Sequence, residues 1–362
     1  MQQDKEIVSN TSMQFESEIF NFLEATTPVL KVATLPTFNP MFWVIVPTYN
    51  PGLKAWDQWV QALQSQNCQP TQIIVVDSGS TDGSQALSQQ SGFTMLKTHA
   101  QDFNHGATRQ WALNQACSNS VSDASPETSF GNSPQFIVFL TQDAVLASPD
   151  ALSELLQAFQ DPQVAAAYGR QLPKVDANWL EAHTRAFNYP KHSRTVQLQD
   201  KVSLGIKACF LSNSFAAYRL QALMDQGGFP AHLPIGEDTY IAAKFLLSGQ
   251  SVRYQAGATV YHSHNYNGLQ DFQRMFDTGV FHAQNPWLLH SFGKPESEGF
   301  KLVLSQWQSL QTQPNFLLSL LQLLYTNVLK FGGYKLGRLY RFLPLKLVKK
   351  FAMHKVFWHQ NS

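Results

Sequence analysis

The stretch Phe136-Ile137-Val138-Phe139-Leu140-Thr141-Gln142-Asp143-Ala144 decides how the rest of the chain can be organised. Five consecutive apolar residues, rich in aromatic and β-branched types, are too few for a typical helix and predict a strand buried on both faces. Ligands bind at the carboxyl ends of strands in parallel α/β sheets, so we expect Asp143 at the rim of a crevice. The alternative is that Asp143 caps a helix that starts near Ser148, although it lies five residues early.

Other short apolar stretches indicate the same kind of sheet. Trp43-Val44-Ile45-Val46 and Ile73-Ile74-Val75-Val76 are each followed by polar turn residues, and residues 93–97 form a third candidate strand. Stretches with helical spacing alternate with these strands, which predicts an α/β fold with a mostly parallel central sheet flanked by helices. Gly79 and Gly83, after the second strand, are four residues apart. This spacing matches neither a dinucleotide fingerprint nor a phosphate-binding loop.

The length of 362 residues allows one large domain with an appendage, or two domains. We predict an N-terminal extension (1–40), an α/β domain (41–270) with a flexible insertion at 118–135, and a helical, basic C-terminal region (271–362). The first residues lack the basic and apolar segments of a signal peptide. Three widely spaced cysteines suit a reducing cytosol and indicate neither a disulfide framework nor a thiolate zinc site.

The net charge of +1 hides an uneven distribution along the chain. Glu298 is the last acidic residue, and nine lysines and arginines follow it. Such a basic C-terminal region predicts contact with a polyanion, and we favour an anionic lipid surface over nucleic acid.

The C-terminal region contains two apolar patterns. Residues 316–331 are apolar except for a narrow polar line, and we expect this segment to be buried or to lie on a bilayer, not to cross it. Further on, apolar residues at helical spacing alternate with lysines and arginines, which resembles an interfacial helix interrupted by Pro344. The alternative is a solvated basic face folded onto the α/β domain. The apolar positions are Leu336, Tyr340, Leu343 and Leu347.

Four motifs in this order resemble glycosyltransferase family 2, the inverting enzymes with a GT-A fold. They are Val46-Pro47-Thr48-Tyr49-Asn50, Val76-Asp77-Ser78-Gly79-Ser80-Thr81-Asp82-Gly83, Thr141-Gln142-Asp143 and Gly236-Glu237-Asp238. Three further segments resemble the bacterial rhamnosyltransferase branch, whose members use dTDP-L-rhamnose. These are Phe103-Asn104-His105-Gly106, Gly169-Arg170-Gln171 and Tyr261-His262-Ser263-His264-Asn265-Tyr266. The resemblance extends over most of the chain.

The resemblance implies a divalent cation, Mg²⁺ or Mn²⁺, which offsets the charge that develops on a nucleoside diphosphate leaving group. Asp143 matches the last acid of the family's metal-binding motif. His262 occupies the place of a metal-ligating histidine, and His264 is the substitute, since alternation would put both side chains on the same face. Relatives often carry acids where this chain has Thr141 and Gln142, and a threonine there suits a deoxyribose.

The resemblance also implies the donor site and the catalytic base. Backbone near Pro47 and Tyr49 would line the base pocket, and Asp77 would accept a hydrogen bond from a pyrimidine nitrogen. Arg109 would offer a forked donor to base or phosphate, unless it is a solvent-facing helix arginine. Asp238 is the predicted general base, which takes the proton of an acceptor hydroxyl during one inverting displacement. Glu237 would favour the helix macrodipole and Asp82 would serve a turn or cap.

The implied function is rhamnosyl transfer from dTDP-β-L-rhamnose to a saccharide or lipid-linked saccharide in bacterial surface polysaccharide synthesis. It would take place in the cytoplasm, at the inner face of the membrane. The alternatives are a UDP-hexose-dependent member of the same family and a non-catalytic nucleotide-sugar or glycan-binding protein on the same fold. An oxidoreductase shares the alternating pattern but would need the glycine fingerprint that this chain lacks.

Overall fold

A computed structural model of the chain describes residue 38, residues 40–122 and residues 133–360. Nearly all of the predicted N-terminal extension and the centre of the predicted insertion at 118–135 lie outside these residues.

The apolar stretches pair into one mixed sheet in this part of the chain. The strands are β1 (Phe42–Thr48), β2 (Gln72–Asp77), β3 (Thr94–Lys97), β4 (Phe136–Leu140), β5 (Val145–Leu146), β6 (Val164–Leu172), β7 (Arg194–Val196), β8 (Phe215–Arg219) and β9 (Ser251–Tyr261). Their order is β3-β2-β1-β4-β8-β6-β9-β5, and β7 also pairs with β9.

Strand β8 makes the sheet mixed, not mostly parallel. β1 runs parallel to β2 and β4, and β2 runs parallel to β3, as predicted. β8 runs antiparallel to both of its neighbours, β4 and β6. Sequence patterns did not reveal β8 because Phe-Ala-Ala-Tyr-Arg is short and contains small residues, so it lacks the β-branched character of the other central strands.

Helices cover the sheet and continue beyond it. They are α1 (Leu53–Gln64), α2 (Ser84–Gln90), α3 (His105–Ser122), α4 (Ala151–Leu156), α5 (Trp179–Asn188), α6 (Lys201–Leu204), α7 (Leu220–Asp225), α8 (Glu237–Leu247), α9 (Gly268–Gln284), α10 (Pro286–Phe292), α11 (Glu296–Leu310), α12 (Phe316–Arg338), α13 (Leu345–Phe351) and α14 (Lys355–Gln360). Short 3₁₀ turns lie between some of them, and the chain after β9 is helical, as predicted.

Strand β4 lies at the centre of the core, with all five side chains buried. Ile137 and Phe139 belong to the apolar cluster on one face of the sheet, and Phe136, Val138 and Leu140 belong to the cluster on the other. Burying each side chain contributes about 2 kcal/mol. The prediction of a strand buried on both faces is therefore confirmed.

Glycines allow α9 and α12 to cross in close contact. A Cβ on Gly333 would lie 2.3 Å from the carbonyl oxygen of Phe272, and one on Gly337 would lie 2.0 Å from that of Phe276. A larger residue at either position would force the helices apart.

Helix α12 has its polar line against the protein and its apolar face outward. Ser319 is buried, Gln322 Oε1 accepts the Trp179 indole N–H at 2.9 Å, and Lys330 pairs with Asp271 at 3.3 Å. The outward side chains are 52–67% exposed. They are Leu317, Leu318, Leu321, Leu324, Tyr325, Val328 and Phe331.

Two features of the C-terminal region go beyond the predicted pattern. The helix that contains the apolar segment 316–331 continues to Arg338, and by length and composition it is long and apolar enough to cross a membrane. That this segment is buried or lies on a bilayer stays a prediction. The predicted interfacial helix with a break at Pro344 is interrupted already at Leu339, and α13 begins directly after Pro344. Its apolar residues Leu336, Tyr340 and Leu343 pack against a buried apolar cluster that α9 and the C-terminal residues form together, and Phe276 and Val280 are the contributions of α9.

Candidate active site

Asp143, His262 and His264 form a cluster at the ends of β4 and β9. The Nε2 atoms of His262 and His264 lie 3.4 Å and 3.3 Å from Oδ2 of Asp143, and 3.1 Å from each other. One potential ligand atom from each residue lies within 4.8 Å of the others. The side chain of Asp143 is 31% exposed, so the cluster is open on one side. The crevice-rim position expected for Asp143 agrees with this arrangement.

Gln171, at the end of β6, orients His262. Nδ1 of His262 donates to Oε1 of Gln171 at 2.9 Å, and Nε2 of Gln171 donates to Oγ of Ser212 at 3.0 Å. A proton held on Nδ1 leaves the lone pair of His262 on Nε2, which faces Asp143. Sequence analysis included Gln171 in a motif but assigned it no role. The feature that could have identified Gln171 is its position at the end of a strand, next to the candidate ligand His262.

The surroundings favour neutral imidazoles beside an ionised carboxylate. Burial lowers the pKa of His262, and the neighbouring Asp143 offsets only part of that effect. Burial and then His262 lower the pKa of His264 to about 4. Burial alone would raise the pKa of Asp143, but whenever His262 carries a second proton, on Nε2, its hydrogen bond and charge hold the pKa of Asp143 well below its usual range. These protonation states are the ones that metal ligands require.

Asp238 stands in the first turn of α8. Gly236, just before the helix, has φ +88°, and a Cβ there would lie 2.9 Å from the ring of Phe281, so the turn requires glycine. Oδ1 of Asp238 accepts the N–H of Thr239 at 2.7 Å, and Oδ2 accepts that of Asn213 at 3.2 Å. Burial and then the Glu237 carboxylate raise the pKa of Asp238. A raised pKa strengthens a carboxylate as a proton acceptor.

The segment Ser212-Asn213-Ser214, before β8, connects Asp238 to the cluster of Asp143 and the two histidines. Ser212 accepts from Gln171, Asn213 donates its N–H to Asp238, and the carbonyl of Ser214 accepts the N–H of Thr141 at 3.2 Å. Sequence analysis missed this segment because its role depends on the pairing of β8 between β4 and β6.

Arg109 and Glu237 form a buried ion pair beside Asp238. Nη1 of Arg109 lies 3.0 Å from Oε1 of Glu237, and both side chains are at most 6% exposed. Nη1 also donates to the carbonyl of His105, and Oε1 of Glu237 accepts from Nδ2 of Asn213. Arg109 is therefore not a solvent-facing arginine. Its charge is paired with the acid next to Asp238, and its predicted contact with the nucleotide stays a prediction.

The residues predicted to bind the nucleotide-sugar donor lie in loops that are connected by hydrogen bonds. The side-chain amide of Gln142 accepts the backbone N–H of Tyr49 at 2.7 Å and donates to its carbonyl at 3.2 Å. Oδ1 of Asp77 accepts the N–H groups of Gly79 and Ser80, while Oδ2 has one long contact, 3.4 Å from the Thr48 hydroxyl. Asp77 therefore shapes its own turn and keeps acceptor capacity on Oδ2.

The remaining predicted positions lie at or after the carboxyl ends of β1, β2 and β4. Pro47 is beside Val76 in the β1–β2 register, and the carbonyl of Thr141 accepts the Trp59 indole N–H at 3.1 Å. Oδ1 of Asp82 accepts both the N–H and the hydroxyl of Ser84, which agrees with its predicted turn and cap role.

Comparison with known proteins identifies the family. The model of glycosyl transferase family 2 matches residues 43–227, and that of glycosyl transferase family group 2 matches residues 136–324. The chain belongs to glycosyl transferase family 2. It is therefore a glycosyltransferase, and the oxidoreductase alternative is excluded.

Two curated relatives cover most of this glycosyltransferase. It is 44% identical over 320 residues to the O-antigen chain rhamnosyltransferase WbaN of Salmonella anatum, covering 88% of this chain and 96% of the relative. It is 42% identical over 317 residues to the O-antigen chain rhamnosyltransferase RfbN of Salmonella typhimurium, covering 87% and 95%.

A solved structure shows that the glycosyltransferase has the GT-A fold. The mannosyltransferase PcManGT of Pyrobaculum calidifontis, in complex with GDP-Man and Mn²⁺, superposes with a TM-score of 0.55 at 17% identity. The match covers 91% of this chain and 97% of that one. The predicted GT-A fold is confirmed, with a mixed sheet in place of the mostly parallel one.

The potential ligand atoms of Asp143, His262 and His264 fit a divalent metal. Two imidazole nitrogens and one carboxylate oxygen converge, and the second nitrogen of His262 is already occupied by Gln171. Nitrogen and oxygen ligands with an open side suit first-row divalent ions.

Proposed function

We propose that the enzyme transfers L-rhamnose from dTDP-β-L-rhamnose to a saccharide hydroxyl in O-antigen synthesis, with inversion at the anomeric carbon. Both Salmonella relatives are O-antigen chain rhamnosyltransferases, which supports this proposal. The observation that carries it is the chain of contacts from Asp143 through His262, Gln171 and Ser212-Asn213 to Asp238. These contacts connect the cluster of Asp143, His262 and His264 to the carboxylate of Asp238, whose pKa is raised.

Asp238 is the general base of the proposed reaction. An acceptor hydroxyl is too weakly acidic to attack unaided, so its proton passes to a carboxylate oxygen of Asp238 as the new bond forms. The N–H groups of Thr239 and Asn213 fix the orientation of this carboxylate. One displacement opposite the leaving diphosphate converts a β-linked donor into an α-linked product.

Asp143, His262 and His264 would hold the cation, Mn²⁺ or Mg²⁺. When bound, it supplies positive charge against the diphosphate leaving group. Gln171 keeps the Nε2 lone pair of His262 directed at this position, and Asp143 remains ionised.

The loops after β1, β2 and β4 would bind the dTDP part of the donor. Asp77 has an available acceptor on Oδ2 for a pyrimidine N–H, and the Gln142–Tyr49 pair fixes the backbone beside Pro47. Thr141 stands where relatives often carry an acid for ribose hydroxyls, which suits a deoxyribose. Arg109 would either hold Glu237 in place beside Asp238 or bind the nucleotide.

The outward face of α12 would lie on the anionic inner surface of the cytoplasmic membrane, where a lipid-linked acceptor is presented. A helix that turns its polar line to the protein and its leucines outward fits a lipid environment better than water. The exposed cations Arg341, Lys346 and Lys350 follow it in sequence and complement acidic headgroups.

A ligand panel and a product assay test this proposal. Thermal shifts with dTDP, UDP and GDP, each with and without Mn²⁺, should be largest for dTDP with Mn²⁺. A larger shift with UDP would favour the UDP-hexose alternative and would count against the role of Thr141. Transfer of rhamnose with an α linkage is the expected product. Intact dTDP-rhamnose after incubation with a rhamnose-accepting glycan would favour a non-catalytic binding protein.

A further inference from the structure

A cavity of about 440 Å³ is lined by residues that the proposed reaction does not use. Its walls come from β6, β9, the end of α5, β7 and α11. The volume is within the roughly 300–1,000 Å³ typical of small-molecule sites. None of the residues predicted to bind donor or metal lines it.

Two cations line this cavity without a salt bridge in the described part of the chain. There, the guanidinium of Arg194 makes no hydrogen bond or ion pair, and the ammonium of Lys207 lies 4.3 Å from the ring centroid of Phe187. Burial, the largest cause, lowers the pKa of Lys207; the Glu298 carboxylate opposes this shift, and the charges of Arg194 and Lys301 add to it. Glu298 is itself paired with Lys301 at 2.6 Å, so one carboxylate faces three cations.

An unpaired hydroxyl also faces this cavity. Tyr168 lines it, and among the described residues no hydrogen bond engages the Tyr168 hydroxyl, although the residue as a whole is only 5% exposed. The neighbouring Tyr254 hydroxyl, in contrast, donates to the carbonyl of Pro190 at 2.7 Å. The Tyr168 hydroxyl is therefore available to donate to an acceptor on a bound ligand.

Aromatic rings form one wall of the cavity. The ring centroids of Tyr168 and Tyr189 are 6.5 Å apart, and those of Tyr168 and Tyr254 are 5.1 Å apart.

We propose that this cavity is a second ligand site, which binds the phosphate of a phosphorylated saccharide. Arg194 and Lys207 would hold the oxyanion, because a guanidinium fork and an ammonium match phosphate geometry and charge. The Tyr168 hydroxyl would donate to the same group, and the faces of Phe187 and Tyr254 would bound the sugar. The site does not depend on the proposed function.

The same chemistry has two sources, a lipid-linked diphosphate sugar and a soluble sugar phosphate. Binding of glucose 1-phosphate and of a farnesyl-diphosphate-linked hexose to the full chain is measured by calorimetry, with methyl glucoside as the neutral control. Both phosphorylated probes should bind more tightly than the glucoside, and the tighter of the two identifies the source.

Variants test the assignment residue by residue. Arg194→Gln and Lys207→Met should each weaken binding of the phosphorylated probes roughly ten- to hundredfold, and Tyr168→Phe by about five- to tenfold. Lys191→Met removes an exposed cation next to the cavity that does not line it, and should leave binding unchanged. Binding of dTDP with Mn²⁺ should be the same in all four variants.

Three results would overturn the site: neither phosphorylated probe binds, the variants bind them as well as the unmodified chain, or dTDP displaces them completely. A chain that binds the probes here but does not transfer rhamnose would retain the site and refute the proposed function alone. Arg194 is exposed, so its variant stays informative even if a change at Lys207 or Tyr168 disturbs folding.

Discussion

Nδ1 of His262 lies 2.9 Å from Oε1 of Gln171, and this contact determines which nitrogen of His262 faces Asp143. The amide of Gln171 is itself held by Ser212, so its acceptor oxygen cannot rotate away from the imidazole without losing that bond. Ligating histidines in metalloproteins are commonly fixed by such a second hydrogen bond.

Gln171→Leu should therefore weaken Mn²⁺ binding by about ten- to hundredfold, because His262 loses its preferred tautomer and orientation. Mn²⁺ binding can be followed by the loss of the free-ion EPR signal, without any turnover. Gln171→Glu keeps an acceptor opposite Nδ1 and should retain most of the affinity. Equal Mn²⁺ affinity in the leucine variant and the unmodified chain would show that Gln171 only supports the strand.

Asp238→Asn should abolish transfer while leaving dTDP binding unchanged, because an amide cannot accept the acceptor's proton. In the unmodified enzyme, the raised pKa of Asp238 predicts that the rate falls with decreasing pH earlier than for an ordinary aspartate. A pH–rate profile of kcat/KM checks the position of this acid limb. Turnover retained in the asparagine variant would refute the assignment of the base.

The same variant should alter the pH dependence of stability. In the unfolded chain Asp238 loses its proton at a lower pH than in the folded protein, so between the two pKa values the unfolded state binds fewer protons. The contribution of Asp238 to stability therefore falls as pH rises through this window. Asp238→Asn should raise the Tm by a few degrees, roughly, above the window but not below it, as calorimetry at two pH values can show.

Arg109→Met should destabilise the protein by about 3–5 kcal/mol, because it leaves the Glu237 carboxylate buried without a counter-charge. The double variant Arg109→Met/Glu237→Gln removes both charges and should recover a large part of that loss. Urea denaturation of the single and double variants gives the coupling free energy. A double variant as unstable as the sum of the single ones would mean that the pair is not coupled. Lys54→Met, an exposed cation on α1, is the matched control.

Local patterns were sufficient to predict β4, the position of Asp143 and the helix that opens at Gly236-Glu237-Asp238, since each depends on neighbours in sequence. The placement of His262 and His264 on one side followed from alternation. Gln171 and Ser212 could not be predicted, because they meet across 41 positions only when β6 pairs with β8. The packing of Leu336, Tyr340 and Leu343 could not be predicted either. Periodicity shows that they form an apolar face, but it does not show whether α9 or a lipid covers that face.

Leu321→Glu/Val328→Glu should prevent binding to anionic vesicles, because both side chains lie on the outward face of α12, 55% and 67% exposed. Two carboxylates there would be repelled by acidic headgroups and would oppose insertion of the neighbouring leucines. Sedimentation with phosphatidylglycerol vesicles measures the effect, and transfer to a soluble acceptor should be retained because neither residue belongs to the catalytic cluster. Val202→Glu, 90% exposed on α6, is the matched control and should leave vesicle binding intact. Full binding by the double variant would mean that α12 faces something other than lipid.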